Sequence, residues 1–137
     1  MIIIFNNILP ISRFTAMNIL GVLFVRKFKG KEYALSPTFL RHEAIHTAQQ
    51  YEIITASALV ALVMCNLFAS WWYLLGVVLL PFVLYIVAWL VALALPPYDR
   101  AYKDSPFERE AYANESNPEY LVTRPPFAWV KYIFSTH

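Results

Sequence analysis

Cysteine is almost absent: Cys65 is the single one among 137 residues, so an internal disulfide and any cysteine-ligated zinc site are excluded. It lies inside an apolar run and is expected to serve packing. Charge is scarce as well, with Asp, Glu, Lys and Arg at 15% against 59% hydrophobic and 17% aromatic residues, a balance unlike that of a soluble domain of this size. From Ile53 to Tyr98 none of those four charged types occurs. A transmembrane helix needs only ~20 predominantly apolar residues, so this run is long enough to cross a bilayer twice. The net charge of +2 is spread along the chain, with no basic patch interleaved with aromatics, and nucleic acid is not expected as a partner. Internal repeats and low-complexity tracts are also missing. The opening "MIIIFNNILPISRF" has no basic stretch before its apolar residues and no small-residue cleavage site, so it is not read as a removed signal peptide and the chain is expected to be used whole.

What is present divides into a β element, a long apolar hairpin and a polar return. Residues 16–26, "AMNILGVLFVR", are rich in Val, Ile, Leu and Phe and are followed by the turn-like "KFKGKE", which predicts a strand or hairpin, with a short apolar helix as the alternative. In "LSPTFLRHEAIHTAQQYE" Ser36 is placed to cap a helix and Pro37 suits the first helical position, where its missing N–H is no loss. That helix has no breaker before Asn66, Ser70 and the pair Trp71–Trp72, which supply a polar break with interface-type aromatics. Transmembrane helices are therefore expected over about 53–70 and 71–96, the second kinked at Pro81 and stopped by Pro96–Pro97. Arg26, Lys27, Lys29, Lys31 and Arg41 precede the hairpin and Arg100 and Lys103 follow it, which by the positive-inside tendency places both termini in the cytoplasm. A compact chain without a transit peptide suits a bacterial inner membrane. Beyond the hairpin, Ser105, Pro106 and Glu108 form a second helix start of capping-box type, with its stop at "SNP", 116–118. The tail "LVTRPPFAWVKYIFSTH" mixes aromatic and basic residues and suits a segment on the membrane interface or beside the first strand. The expected architecture is thus one mainly α, membrane-embedded domain over 1–137: a small N-terminal β element, a helix leading into a two-helix transmembrane hairpin, and a Glu-bearing helix after it.

The chemistry is concentrated in "HEAIH". Residues i and i+4 share a helix face, so His42 and His46 can aim two imidazole nitrogens at one point, with Glu43 displaced enough to reach a water held there. Zn2+ bound by two histidines and a third protein ligand, with one position open, lowers the pKa of its water to ~7, and a neighbouring glutamate then serves as general base. Histidines about to enter lipid are costly without partners, and a metal would satisfy them. The third ligand must come from elsewhere, since His137 is terminal. The candidates lie in "FEREAYANE", where Glu108, Glu110 and Glu115 sit on one short helix. A plain charged helix face accounts for three carboxylates as well, and a capping role for Glu108 needs no metal. Topology bears on the choice: one crossing would leave His42 and Glu108 on opposite sides of the bilayer, whereas two return them to the same side.

"HEAIH" followed by "EREAY" resembles the gluzincin metallopeptidases, in which a helical HExxH supplies two zinc ligands and a glutamate on a later helix, in an E-x-x-A-D or E-x-x-A-N setting, supplies the third. The resemblance covers the two motifs and the hairpin between them, about half the chain. Glu108 with Ala111 fits that pattern in one register and Glu110 with Asn114 in a looser one; the first keeps the alanine, so Glu108 is preferred as the ligand beside His42 and His46. Tyr112 departs from the pattern, standing where such families often carry an acidic or amide residue that orients a ligand histidine. It is expected to donate its hydroxyl to substrate or water, with Asn114 or Glu115 as the orienting group. What the resemblance implies is a small integral-membrane zinc metallopeptidase, with Glu43 and Tyr112 as catalytic groups, acting on a polypeptide paired in extended form beside the strand at 16–26. The alternative is a non-catalytic membrane protein of the same fold that binds a partner or a structural metal. A membrane hairpin with an accidental HExxH is a third reading, and spans free of charge argue against its being an ion path.

Overall fold

A computed structural model of the chain describes residues 1–8, 15–27, 35–76, 79, 83 and 105–133. Three strands, β1 (Ile2–Asn6), β2 (Ala16–Ile19) and β3 (Val22–Arg26), form a sheet in the order β1-β3-β2, with β1 parallel and β2 antiparallel to β3. The β2–β3 connection is a two-residue turn between the paired Ile19 and Val22, and it demands positive φ at both positions, +50° at Leu20 and +81° at Gly21. Glycine meets that demand freely; leucine does not. Leu20 is held there from outside, since its N–H donates to Gln50 Oε1 at 2.7 Å and its carbonyl accepts from the Tyr51 hydroxyl at 3.3 Å. On β3 the alternate residues Leu23 and Val25 are completely buried.

Helix α1 (Pro37–Phe68) begins where the serine and proline require, with Ser36 Oγ accepting the Phe39 N–H at 3.1 Å. Its 32 residues rise ~48 Å in one unbroken helix. Buried His42, Ile45 and Gln49 form a stripe at helical spacing on its first half. The second half is different: Leu59, Val60, Leu62, Val63, Leu67 and Phe68 are all exposed. Helix α1 as a whole is long and apolar enough to span a membrane, and only 6% of its most apolar 18-residue stretch is buried. Helix α1 ends on Ala69 in the left-handed conformation, and residues 72–76 are helical again. Leu79 and Val83 are helical as well; the rest of the second crossing expected over 71–96, with the kink at Pro81 and the stop at Pro96–Pro97, lies outside the described residues.

Helix α2 (Pro106–Asn114) starts on Ser105, whose Oγ accepts the Glu108 N–H at 3.2 Å. It lies against the first half of α1, and Ala111, fully buried, forms a small core with Ile45 and Tyr120. A larger side chain at 111 would separate the two helices. Helix α3 (Tyr120–Thr123) and a 3-10 turn (Ala128–Tyr132) fold back over α2 rather than beside the first strand. The tail's aromatic residues are what turn it this way: Trp129 stacks on Phe107 at 4.8 Å, and the Tyr132 hydroxyl accepts from Asn114 Nδ2 at 3.0 Å.

Candidate metal centre

Three groups meet between α1 and α2. His42 Nε2 lies 3.3 Å from Glu108 Oε2, His46 Nε2 lies 3.2 Å from Glu108 Oε1, and the two Nε2 atoms are 3.0 Å apart. Helical spacing stacks the histidines, and their rings meet edge to face at 4.7 Å. Glu108, 2% exposed, reaches them from the first turn of α2 while its backbone N–H is the one capped by Ser105. The capping serine and the carboxylate facing the histidines therefore engage different atoms of the same residue.

Hydrogen bonds behind the rings decide what the front atoms offer. His42 Nδ1 stands 2.8 Å from Glu115 Oε2, a carboxylate that can only accept. His46 Nδ1 stands 2.8 Å from Gln49 Oε1, and the orientation of that amide follows from its nitrogen, which donates to the Phe107 carbonyl at 3.0 Å and to Glu110 Oε2 at 2.9 Å. Both Nδ1 atoms are thus donors. In the neutral imidazoles both Nε2 atoms are then lone-pair acceptors, and they converge on a third acceptor, the Glu108 carboxylate. Acceptors brought together at 3.0–3.3 Å can be reconciled by a proton or a metal ion between them. A tetrahedral zinc with bonds of ~2.0–2.1 Å holds its ligand atoms ~3.3 Å apart; here the two Nε2 atoms are 3.0 Å apart, each faces a different Glu108 oxygen, and one ligand atom from each residue lies within 4.8 Å of the other two.

The flanking groups complete the electrostatics. Burial alone would depress His42, but the carboxylates of Glu108, Glu115 and Glu43 outweigh it and raise the imidazole above its usual value. Glu43, one position on along the helix, has its carboxyl raised by burial, against the downward pull of His46 and His42. Tyr112 packs edge-on against His42 at 4.8 Å and remains half exposed; burial, then the charges of Glu108, Glu115 and Glu43, raise its phenol and keep it a proton donor. All these groups precede Ile53, outside the charge-free run, or lie on α2.

The remaining candidates from the sequence fall elsewhere. Glu110 is completely buried and bonds other partners than the histidine rings: Oε1 accepts from Tyr120 at 3.0 Å and from Arg124 Nε at 2.5 Å, and Oε2 from Gln49 at 2.9 Å. Asn114 donates to the Glu110 carbonyl and to Tyr132, touching neither histidine. Glu115, a candidate orienting group by sequence, is the one against His42, and its carbonyl also accepts from Arg41 Nε at 2.6 Å. Sequence reasoning does not single out Gln49 or Arg124. Helical spacing holds a signal for the first, since Gln49 follows His46 by one turn; nothing local marks Arg124. Among the described residues, the trio of His42, His46 and Glu108 is the group whose ligand atoms, all within 4.8 Å of one another, could hold a metal ion. No protein-family model, curated protein or solved structure matches the chain.

Proposed function

We infer that the chain is a zinc-dependent membrane metallopeptidase that cleaves polypeptides at the cytoplasmic face of a bacterial inner membrane. The observation that carries this reading is the convergence of three acceptor groups, the Nε2 atoms of His42 and His46 and the Glu108 carboxylate, beside a general-base candidate on the same helix. Bound by those three residues, zinc would supply Lewis-acid activation of water and of a substrate carbonyl. Glu43 takes the proton from the attacking water on its carboxylate and delivers it to the leaving amine, and burial, which raises its carboxyl, favours its holding the proton between the two transfers. Tyr112, held protonated and partly exposed, donates its hydroxyl to the carbonyl oxygen as negative charge gathers there. Glu115 and Gln49 keep the imidazoles turned toward the metal.

The membrane assignment rests on the bare second half of α1. Contact between His42 and Glu108 supports a hairpin, because a chain that leaves through α1 must recross before residue 105 to make it. The substrate is expected in extended form near β2, although Gln50 Nε2 already bonds the Asn18 carbonyl on that strand's outer edge, leaving its start near Ala16 for pairing. The second reading, a partner-binding or structural metal protein of the same fold, is favoured by the burial of His42 and Glu108, since structural sites are closed.

Metal analysis and peptide hydrolysis by the purified protein in detergent decide between them. His46→Ala is expected to strip the zinc, and Glu43→Gln to keep it while hydrolysis falls ~10²–10⁴-fold. Wild type without bound metal sinks the first reading and the structural-metal form of the second, and hydrolysis undiminished in Glu43→Gln also sinks the first.

A further inference from the structure

Behind His46 runs a chain of side chains of which the chemistry above uses only Gln49. Gln49 Oε1 faces His46 Nδ1, and Gln49 Nε2 donates to Glu110 Oε2. Glu110 is completely buried and accepts four side-chain hydrogen bonds: from Tyr120 and Arg124 Nε on one oxygen, from Gln49 and an Arg124 terminal nitrogen, at 3.2 Å, on the other. Arg124 also forks onto Glu52. An amide is nearly symmetric in shape, so Gln49 could present either its oxygen or its nitrogen to His46. Two acceptors, the Phe107 carbonyl and an anion at position 110, allow only one choice: the nitrogen must point at them, and the oxygen is left for the histidine. His46 must then carry its proton on Nδ1 and its lone pair on Nε2, toward Glu108 and His42.

We propose that Glu110 and Arg124 are positioning residues for the metal site: a buried carboxylate, held by the arginine, fixes the Gln49 amide and thereby keeps His46 in the tautomer whose Nε2 can ligate a metal. This rests on the metal-site reading of His42, His46 and Glu108. It gives the C-terminal segment a role at a site it does not touch, because Arg124 and Tyr120 belong to that segment. It also explains why a carboxylate is buried beside a site without joining it.

Replacing the anion by its neutral isostere reverses the logic. In Glu110→Gln the new amide keeps its oxygen toward Arg124 Nε and turns its nitrogen toward Gln49, whose amide then flips at the expense of its bond to the Phe107 carbonyl and presents its own nitrogen to His46. His46 then becomes a donor at Nε2. The double exchange Gln49→Glu with Glu110→Gln restores an acceptor to His46 Nδ1, now a carboxylate that accepts from the amide introduced by the second substitution. The chain has three histidines, His42, His46 and His137, so ring-nitrogen NMR of ¹⁵N-histidine protein in detergent can read each tautomer before any metal is added. Zinc affinity follows by competition of Zn2+ alone against a chromophoric chelator. The expected result is a protonated Nδ1 on His46 in wild type, a protonated Nε2 in Glu110→Gln with zinc affinity reduced ~10–100-fold, and recovery of both in the double exchange. Gln49→Leu, which leaves the Glu110–Arg124 pair intact, should weaken zinc by a similar factor. Wild-type tautomer and affinity in both Glu110→Gln and Gln49→Leu, or no recovery in a folded double exchange, would overturn the proposal. A wild type that takes up no zinc, with the His46 signals still moving in Glu110→Gln, would remove the metal reading and leave the tautomer control standing.

Discussion

The two halves of α1 share one helix and face two different surroundings. Up to Glu52 the helix is clasped on two sides: Asn18 Nδ2 donates to the Glu43 carbonyl at 2.5 Å and to Thr47 Oγ1 at 3.0 Å from the sheet, while α2 and the C-terminal segment hold His42, Gln49 and Glu52 from the other. From Leu59 onward large apolar side chains stand uncovered, with Trp71 and Trp72 at 78% exposure each. Water-soluble surfaces rarely carry so continuous an apolar face, and a lipid phase makes it ordinary. The clasped half is therefore specified by directional polar bonds, each with a named partner, and the bare half by composition alone. Substitutions should divide accordingly, and the division can be attacked from either side.

The largest effect is expected in the clasped half. Arg124→Ala removes the cation shared by Glu52 and Glu110 and leaves a fully buried carboxylate without its charge partner, a change of ~3–5 kcal/mol in cases of this kind. Denaturant unfolding in a fixed detergent, followed by tryptophan fluorescence at Trp129 beside Phe107, should register it. A loss below ~1 kcal/mol would mean that the C-terminal segment does not fasten α1 as described.

Next comes a charge placed in the bare half. Leu59 is 60% exposed, and Leu59→Arg in a water-facing helix should cost within ±0.5 kcal/mol. In the middle of a membrane span the same change costs ~2.5–3.5 kcal/mol by insertion scales. A membrane-insertion assay with glycosylation reporters separates the two, and unchanged insertion would end the idea that 53–68 lies in lipid. The contrast sharpens with Tyr51→Arg, two residues before the charge-free run at a side chain of similar exposure, 54%, which should leave insertion unaltered.

Much of this organisation is legible in the residues, and the exceptions share a cause. Ser36–Pro37 and Ser105–Pro106 announce both helix starts because a cap is a local contract between a side chain and an N–H three residues on. The histidine pair is legible for the same reason, being spaced by one turn. In the sequence Glu108 is preferred to Glu110 only because of the place of Ala111, and the structure sets Glu108 against the histidines; Ala111 is small because α1 and α2 touch there. Strand β1 offers no alternation to read, since "IIIFN" is a plain apolar run, and the β2–β3 turn puts a leucine at positive φ, which no turn preference anticipates. Leu20 tolerates it only because Gln50 and Tyr51, some 30 positions later, hold its backbone. Arg124 is illegible for a like reason, its partners Glu52 and Glu110 being set by the return of the chain.

A smaller effect tests the sheet side of the clasp. Asn18, 6% exposed, bonds α1 through Glu43 and Thr47 and accepts the Gly21 N–H at 3.2 Å, so one side chain ties the turn to the HExxH helix. Asn18→Ala should lower stability by ~1–3 kcal/mol, since the freed groups are partly buried. If the sheet serves to hold Glu43 in place, hydrolysis should fall by more than the folded fraction does. Activity that follows the folded fraction would reduce the sheet to a support.

The smallest expected effect lies at the junction of the two halves. Glu52 is the last charged residue before the bare segment, and although burial pushes its carboxyl up, the Arg124 guanidinium and the Phe127 N–H outweigh burial and hold it below the usual carboxylate range. A carboxyl whose pKa is lowered by folding contributes stability that is fully present above its unfolded pKa and is lost as pH falls through the lowered folded value. Wild type should therefore exceed Glu52→Gln in stability at neutral pH, and the gap should close on acidification to below the ordinary carboxylate range. Melting both proteins across that interval in the same detergent measures it. A gap that stays constant with pH would show that Glu52 acts through shape and hydrogen bonding, and a gap that widens in acid would contradict the ion pair altogether. Because Glu52 stands one residue before the charge-free run, a closing gap would also show that the fastening between α1 and the C-terminal segment titrates with the aqueous phase, which locates the boundary between the two halves at that residue.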